Sequence, residues 1–112
     1  QMCIRDSAET LLRCGQSRGD VFWRMPLVPQ ERSRLKSDVA DMVNCVDGFG
    51  GAITAALFLE KFTAGVPWAH FDIYAWNDQA SGLFAHKGGS GQIIQALSDF
   101  LEQRASNNIF VD

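Results

Sequence analysis

Hydrophobic positions along this chain fall into a few clear periods separated by turn residues. Ile93, Ile94, Leu97, Phe100 and Leu101 recur at helical spacing, with Gln95, Asp99, Glu102 and Gln103 between them. Ile93–Arg104 is therefore predicted as an amphipathic helix. A second helix is predicted over Ala52–Thr63. Ala52, Ala55, Ala56, Leu59 and Phe62 form its stripe, Ile53 and Leu57 widen it, and Gly65 and Pro67 stop it. Trp68–Trp76 is apolar on both alternating faces, the pattern of a strand covered on both sides. The alanine face of the Ala52–Thr63 helix is expected to pack on it.

Weaker signals fill the rest. Ala8–Arg13 has a short helical pattern, ended by the turn residues of Gly15–Gly19. Val21–Met25 reads as a short strand stopped by Pro26. Pro29–Lys36 is highly charged and predicted as an exposed helix begun by Pro29. Ser37–Asn44 alternates loosely and fits a strand or an irregular segment. Asp47–Gly51 and Asn77–Gly91 read as loops. Residues 1–7 have no periodicity and look like a translated linker or adaptor-derived leader, so they are left out of the fold reading. The body then covers 8–105, and 106–112 is expected to fray.

The order of helices and strands predicts an α/β fold with helices on both faces of a sheet. Two or three strands make a poor sheet alone, the first sign that part of that sheet belongs to something larger. The length of 112 residues allows one small domain or one end of a larger one.

Composition narrows the partners. The chain is 46% apolar and 21% charged, as in ordinary globular proteins. Its formal charge of −3, with ten scattered basic residues, argues against nucleic acid. No apolar run approaches the roughly 20 residues of a membrane span. Cys3, Cys14 and Cys45 are odd in number and match no metal spacing, so they read as free thiols in a reducing cytoplasm.

Candidate chemistry is sparse. His70 and Asp72 share a strand face, but two donors are too few for a metal, and His86 comes from a loop. A hydrogen-bonded polar pair is the plainer reading. Asp38 and Asp41 could hold a hard cation, yet such residues more often cap helices or bond to backbone. Gly88–Gly91 precedes a helix without the Lys-Ser/Thr of a phosphate loop, and reads as a glycine-rich helix entry. No serine sits in a nucleophile elbow, and nothing brings Cys45 to His70.

Four collinear stretches carry a resemblance. Gly19-Asp-Val-Phe-Trp-Arg-Met-Pro-Leu27 resembles the Gly-Asp-x-x-Trp-Arg-x-Pro-Leu segment of the leucyl aminopeptidase (cytosol aminopeptidase) family. Lys36-Ser-Asp-Val-Ala-Asp-Met-Val-Asn44 is similar to the Ser-Asp-x-Ala-Asp-x-x-Asn that follows it there. Gly51–Leu59 and Trp68–Ile73 are similar to that family's next helix and last strand. The resemblance covers Ala8 to Arg104.

It implies the C-terminal portion of a three-layer α/β/α, zinc-dependent-exopeptidase-like catalytic domain. The parent is then a cytoplasmic, typically homohexameric hydrolase. It would remove N-terminal amino acids, leucine among them, from peptides with two divalent ions such as Mn2+ or Zn2+. The family's metal ligands and catalytic Lys and Arg lie around an Asn-Thr-Asp-Ala-Glu-Gly-Arg stretch that this chain lacks. By that resemblance the chain carries no catalytic residue and no metal ligand. The loop after the last strand lines the pocket for the substrate's first side chain in the family, which points to Tyr74, Ala75 and Trp76. Where the family often reads Asp-Ile-Ala-Gly-Thr-Ala-Trp, this chain reads Asp72-Ile-Tyr-Ala-Trp76, two residues shorter. The alternative function is a non-catalytic α/β interaction or assembly module.

Overall fold

A computed structural model of the chain describes residues 2–80 and 86–108, with side chains described from 7 to 80 and from 86 to 107. The middle of the predicted Asn77–Gly91 loop and the end of the 106–112 tail lie outside the described residues. The elements are helix α1 (Met2–Arg18), a 3-10 helix (Pro29–Leu35), α2 (Gly51–Glu60), β1 (Trp76–Asn77), β2 (Gly88–Gly89) and α3 (Ile94–Asn108). They form two compact units, Gln1–Trp23 with Ile73–Asp112, and Arg24–Asp72.

In the first unit α1 is longer at both ends than the predicted Ala8–Arg13. Gly15 does not stop it. A Cβ there would lie 2.3 Å from the Asp20 carbonyl oxygen and 2.7 Å from the Phe22 ring, so glycine is required for contact rather than for a turn. Gly19 stops the helix instead, at φ 71°. Its N–H donates to the Gln16 carbonyl at 3.3 Å and the Asp20 N–H donates to the Gly15 carbonyl at 2.8 Å, the paired bonds of a Schellman end.

α1 begins at Met2, inside the stretch read from sequence as a leader. Arg104 Nη1 donates to Ser7 Oγ at 2.8 Å, which ties the last residue of that stretch to α3. The body boundary at 105 is not an element boundary either, since α3 runs to Asn108.

α3 packs against α1, burying Cys14, Ile93 and Ala96. The predicted face of α3 is only half right: Ile93 is buried, whereas Ile94 and Leu101 are exposed. At the rim, Arg18 Nε and Nη2 grip Asp99 Oδ2 and Oδ1 at 2.6 and 2.7 Å. This two-point hydrogen bond holds the Asp99 carboxyl below its usual range, opposed by desolvation and helped by the Arg18 charge. The same bond also holds the Arg18 guanidinium above its own usual range. A shallow polar depression lined by Arg18, Asp99, Glu102 and Gln103 runs along the two helices.

The second unit forms where the 3-10 helix meets α2. Leu35, Thr54, Ala56 and Leu57 are buried, Leu57 completely at 0% exposure. Burying that side chain contributes about 1.5–3 kcal/mol. The stripe predicted for α2 is rotated: Ala56 and Leu57 face in, but Ala55, Leu59 and Phe62 are exposed. Arg32 Nη2 bonds Glu60 Oε2 at 2.5 Å and ties the two helices. Arg34 donates to the carbonyls of Asp47 and Phe49 at 2.5 and 2.9 Å and pairs with Glu31 at 2.6 Å, clamping the Asp47–Gly51 loop to the 3-10 helix. Ser37–Asn44 is irregular, and the Ser37 hydroxyl accepts the N–H groups of Val39 and Ala40.

The strands are the main correction. Val21–Met25 and Trp68–Ala75 form no ladder among the described residues. Among the described residues only Trp76 and Asn77 pair, antiparallel with Gly89 and Gly88. The helices and this one small sheet keep the α/β character at a coarse level. A strand exists only where a neighbouring strand meets its backbone groups in register, and no such ladder forms along these segments among the described residues.

Candidate functional site

The three predicted pocket residues sit together on one built feature. Tyr74 precedes β1, Ala75 turns the chain, and Trp76 opens the strand. Tyr74 and Trp76 are 74% and 46% exposed, so they are not the core aromatics that a fully covered strand would make of them. The Tyr74 hydroxyl donates to Asp78 Oδ2 at 3.3 Å.

Ala75 holds the strained position. Its φ is 53°, in the left-handed region where an alanine costs about 1–2 kcal/mol. Both of its backbone groups are held: its N–H donates to Gln92 Oε1 at 3.2 Å, and its carbonyl accepts the Ser90 N–H at 3.0 Å. Gln92 leads into a second strained residue, Ile93, at φ 72°. The Ile93 N–H donates to the Asp20 carboxylate, and its carbonyl accepts Leu97 N–H at 2.9 Å in the first turn of α3. Gly88–Gly91, read from sequence as a helix entry, supplies β2 and the turn into that helix.

The sequence did not mark Gln92 or Asp20 as parts of this feature. Asp20 was visible as the acid of the Gly-Asp motif. The Gln92 bond spans 17 residues and has no local periodic signal.

The other candidates stay dispersed. Asp38 and Asp41 are exposed on the irregular segment, and Asp72 is exposed beside a half-buried His70. Among the described residues, His70 Nε2 is a buried nitrogen with no hydrogen-bond partner, so the expected satisfied polar pair is not formed here. Cys14 is buried and Cys45 exposed. No three His, Cys, Asp or Glu side chains converge among the described residues, so the donors here do not fit a divalent metal ion and no metal step is assigned to them.

The sequence model of the cytosol aminopeptidase family, catalytic domain, matches residues 4–98. The chain belongs to the cytosol aminopeptidase family. The match starts inside the stretch expected as a leader. A probable cytosol aminopeptidase of Herminiimonas arsenicoxydans is 44% identical over 100 residues, which cover 88% of this chain and 19% of that protein. One from Polaromonas naphthalenivorans is 45% identical over 96 residues, covering 84% and 18%. Among solved structures, the bottromycin maturation enzyme BotP superposes with a TM-score of 0.83 at 41% identity, over 91% of this chain and 23% of that one. The cytosol aminopeptidase of Coxiella burnetii superposes at 0.77 with 41% identity, over 89% and 22%. BotP is also known in complex with Mn, and that structure superposes at 0.82. The chain spans about a fifth of the length of the curated relatives it matches.

Proposed function

We propose that this chain is the C-terminal portion of the catalytic domain of a metal-dependent aminopeptidase that removes N-terminal amino acids, leucine among them, from peptides. The observation that carries the reading is the family match over residues 4–98, reinforced by the likeness to a relative solved with Mn. In this reading the whole domain is a three-layer α/β/α fold, and Trp68–Trp76 becomes a paired strand within it. Two divalent ions, Mn2+ or Zn2+, are held by residues outside this chain. The parent works in the cytoplasm as a homohexamer.

Tyr74, Ala75 and Trp76 line the pocket for the first side chain of the peptide. Two exposed aromatics on a backbone held at both ends suit an apolar pocket wall. The test rebuilds the parent with the coding region that precedes this chain in its gene and assays a panel of aminoacyl substrates with added manganese or zinc. The expected result is metal-dependent turnover. In the same enzyme, Tyr74→Ala or Trp76→Ala should shift the leucyl-to-alanyl ratio of kcat/KM by about tenfold, with little change in metal affinity. A metal-replete but inactive parent would refute the aminopeptidase reading. An unchanged ratio would refute the pocket.

A further inference from the structure

We infer that Gln92 is a positioning residue for substrate selectivity, and that Asp20 supports it from the end of α1. The inference rests on the reading of Tyr74–Trp76 as pocket wall. Ala75 lies between the two aromatics, so its backbone conformation sets the directions in which both side chains leave the chain. That conformation, φ 53°, is one an alanine avoids unless its surroundings impose it. The surroundings are specific: Gln92 Oε1 takes the Ala75 N–H and the Ser90 N–H takes its carbonyl.

Of these two restraints, only Gln92 uses a side chain, so only it can be removed without altering the backbone. Gln92 is itself fixed by its neighbour. Ile93 is buried and left-handed, and its N–H is bound by the Asp20 carboxylate. Asp20 follows Gly19, where α1 ends in its paired backbone bonds. A continuous set of contacts therefore runs from the end of α1 through Ile93 and Gln92 to Ala75, and every member lies in one compact unit. Neither Gln92 nor Asp20 need touch substrate. They act by holding the residues that do.

The test compares variants of the rebuilt parent by the ratio of kcat/KM for leucyl and alanyl substrates. Gln92→Leu keeps the size of the side chain and removes the acceptor. It should change the ratio by about tenfold, whereas Gln92→Glu, which keeps an acceptor oxygen, should stay within about twofold of the parent. A general loss of folding would lower both substrates together and leave the ratio unmoved. Hydrogen exchange of the peptide around Ala75 should quicken in Gln92→Leu and not in Gln92→Glu. If Gln92→Leu does not fold, Ala75→Gly releases the same backbone and should shift the ratio in its place. An unchanged ratio in whichever of these folds, while Tyr74→Ala and Trp76→Ala do shift it, overturns the role of Gln92 and leaves the pocket standing. An unchanged ratio in the Tyr74 and Trp76 variants removes the pocket, and the inference with it.

Discussion

Individual residues are most constrained where backbones approach. Gly15 has no room for a methyl group, while Gly51 at the start of α2 meets nothing within 4 Å. Gly15→Ala should therefore destabilise the chain by about 1–3 kcal/mol, and Gly51→Ala should stay within about 0.5 kcal/mol. Denaturant midpoints of the two variants check this, and equal shifts would contradict the close contact. At Asp99 the consequence is a pH dependence. Its folded carboxyl is held below the usual range by Arg18, so the unfolded chain takes up that proton first. The stabilisation is complete above the ordinary carboxylate range and fades as the pH falls through it toward the lower folded value. Asp99→Asn should flatten that part of the acid profile and make it less sensitive to salt. A variant that keeps the full acid dependence would show that other carboxylates carry it.

At the scale of elements, the sequence announced its helices and overstated its strands. The 3.6-residue period survives without tertiary partners, so α2 and α3 were legible within a few residues, and Pro29 with its charged run marked the 3-10 helix. Which side of α2 turns inward was not, because Ala55 and Ala56 look alike in sequence and only the 3-10 helix decides between them. Ala56→Trp should cost about 1–3 kcal/mol or more through overpacking, and Leu57→Ala about 2–5 kcal/mol through the cavity it leaves. Ala55→Trp should be tolerated in the isolated chain, and a loss as large as that of Ala56→Trp would restore the rotation expected from sequence. The apolar run of Trp68–Trp76 suits a strand, but pairing depends on neighbours that a single segment does not encode. The start of α1 before Ala8 was not legible, because its weak periodicity gains its support from α3. Removing residues 1–7 shortens α1 and deletes the Arg104–Ser7 bond, so it should lower the denaturant midpoint by the equivalent of about 1 kcal/mol. An unchanged midpoint would favour the reading of those residues as a leader.

Across the described residues, several large apolar side chains lie open. Trp23 and Phe49 are 91% and 99% exposed, Leu59, Ile94 and Leu101 lie open on the helices, and Phe62 lies open just past the end of α2. Such surfaces favour association, and in the proposed parent they are covered by the remainder of the catalytic domain. The family was legible because four motifs keep their order and spacing. The loop geometry was not, since it depends on bonds between Ala75, Gln92, Ile93 and Asp20 that are distant in sequence. The most direct measurement is chelator-sensitive hydrolysis of leucyl substrates, made on the 112-residue chain alone and on the rebuilt parent with manganese or zinc supplied. Metal-assisted hydrolysis needs an ion to polarise the carbonyl and to generate hydroxide near neutral pH, and the described residues bring together no set of ligands for one. The parent should turn over substrate and lose activity with chelator, and the chain alone should show none. Chelator-sensitive turnover by the chain alone would contradict the account.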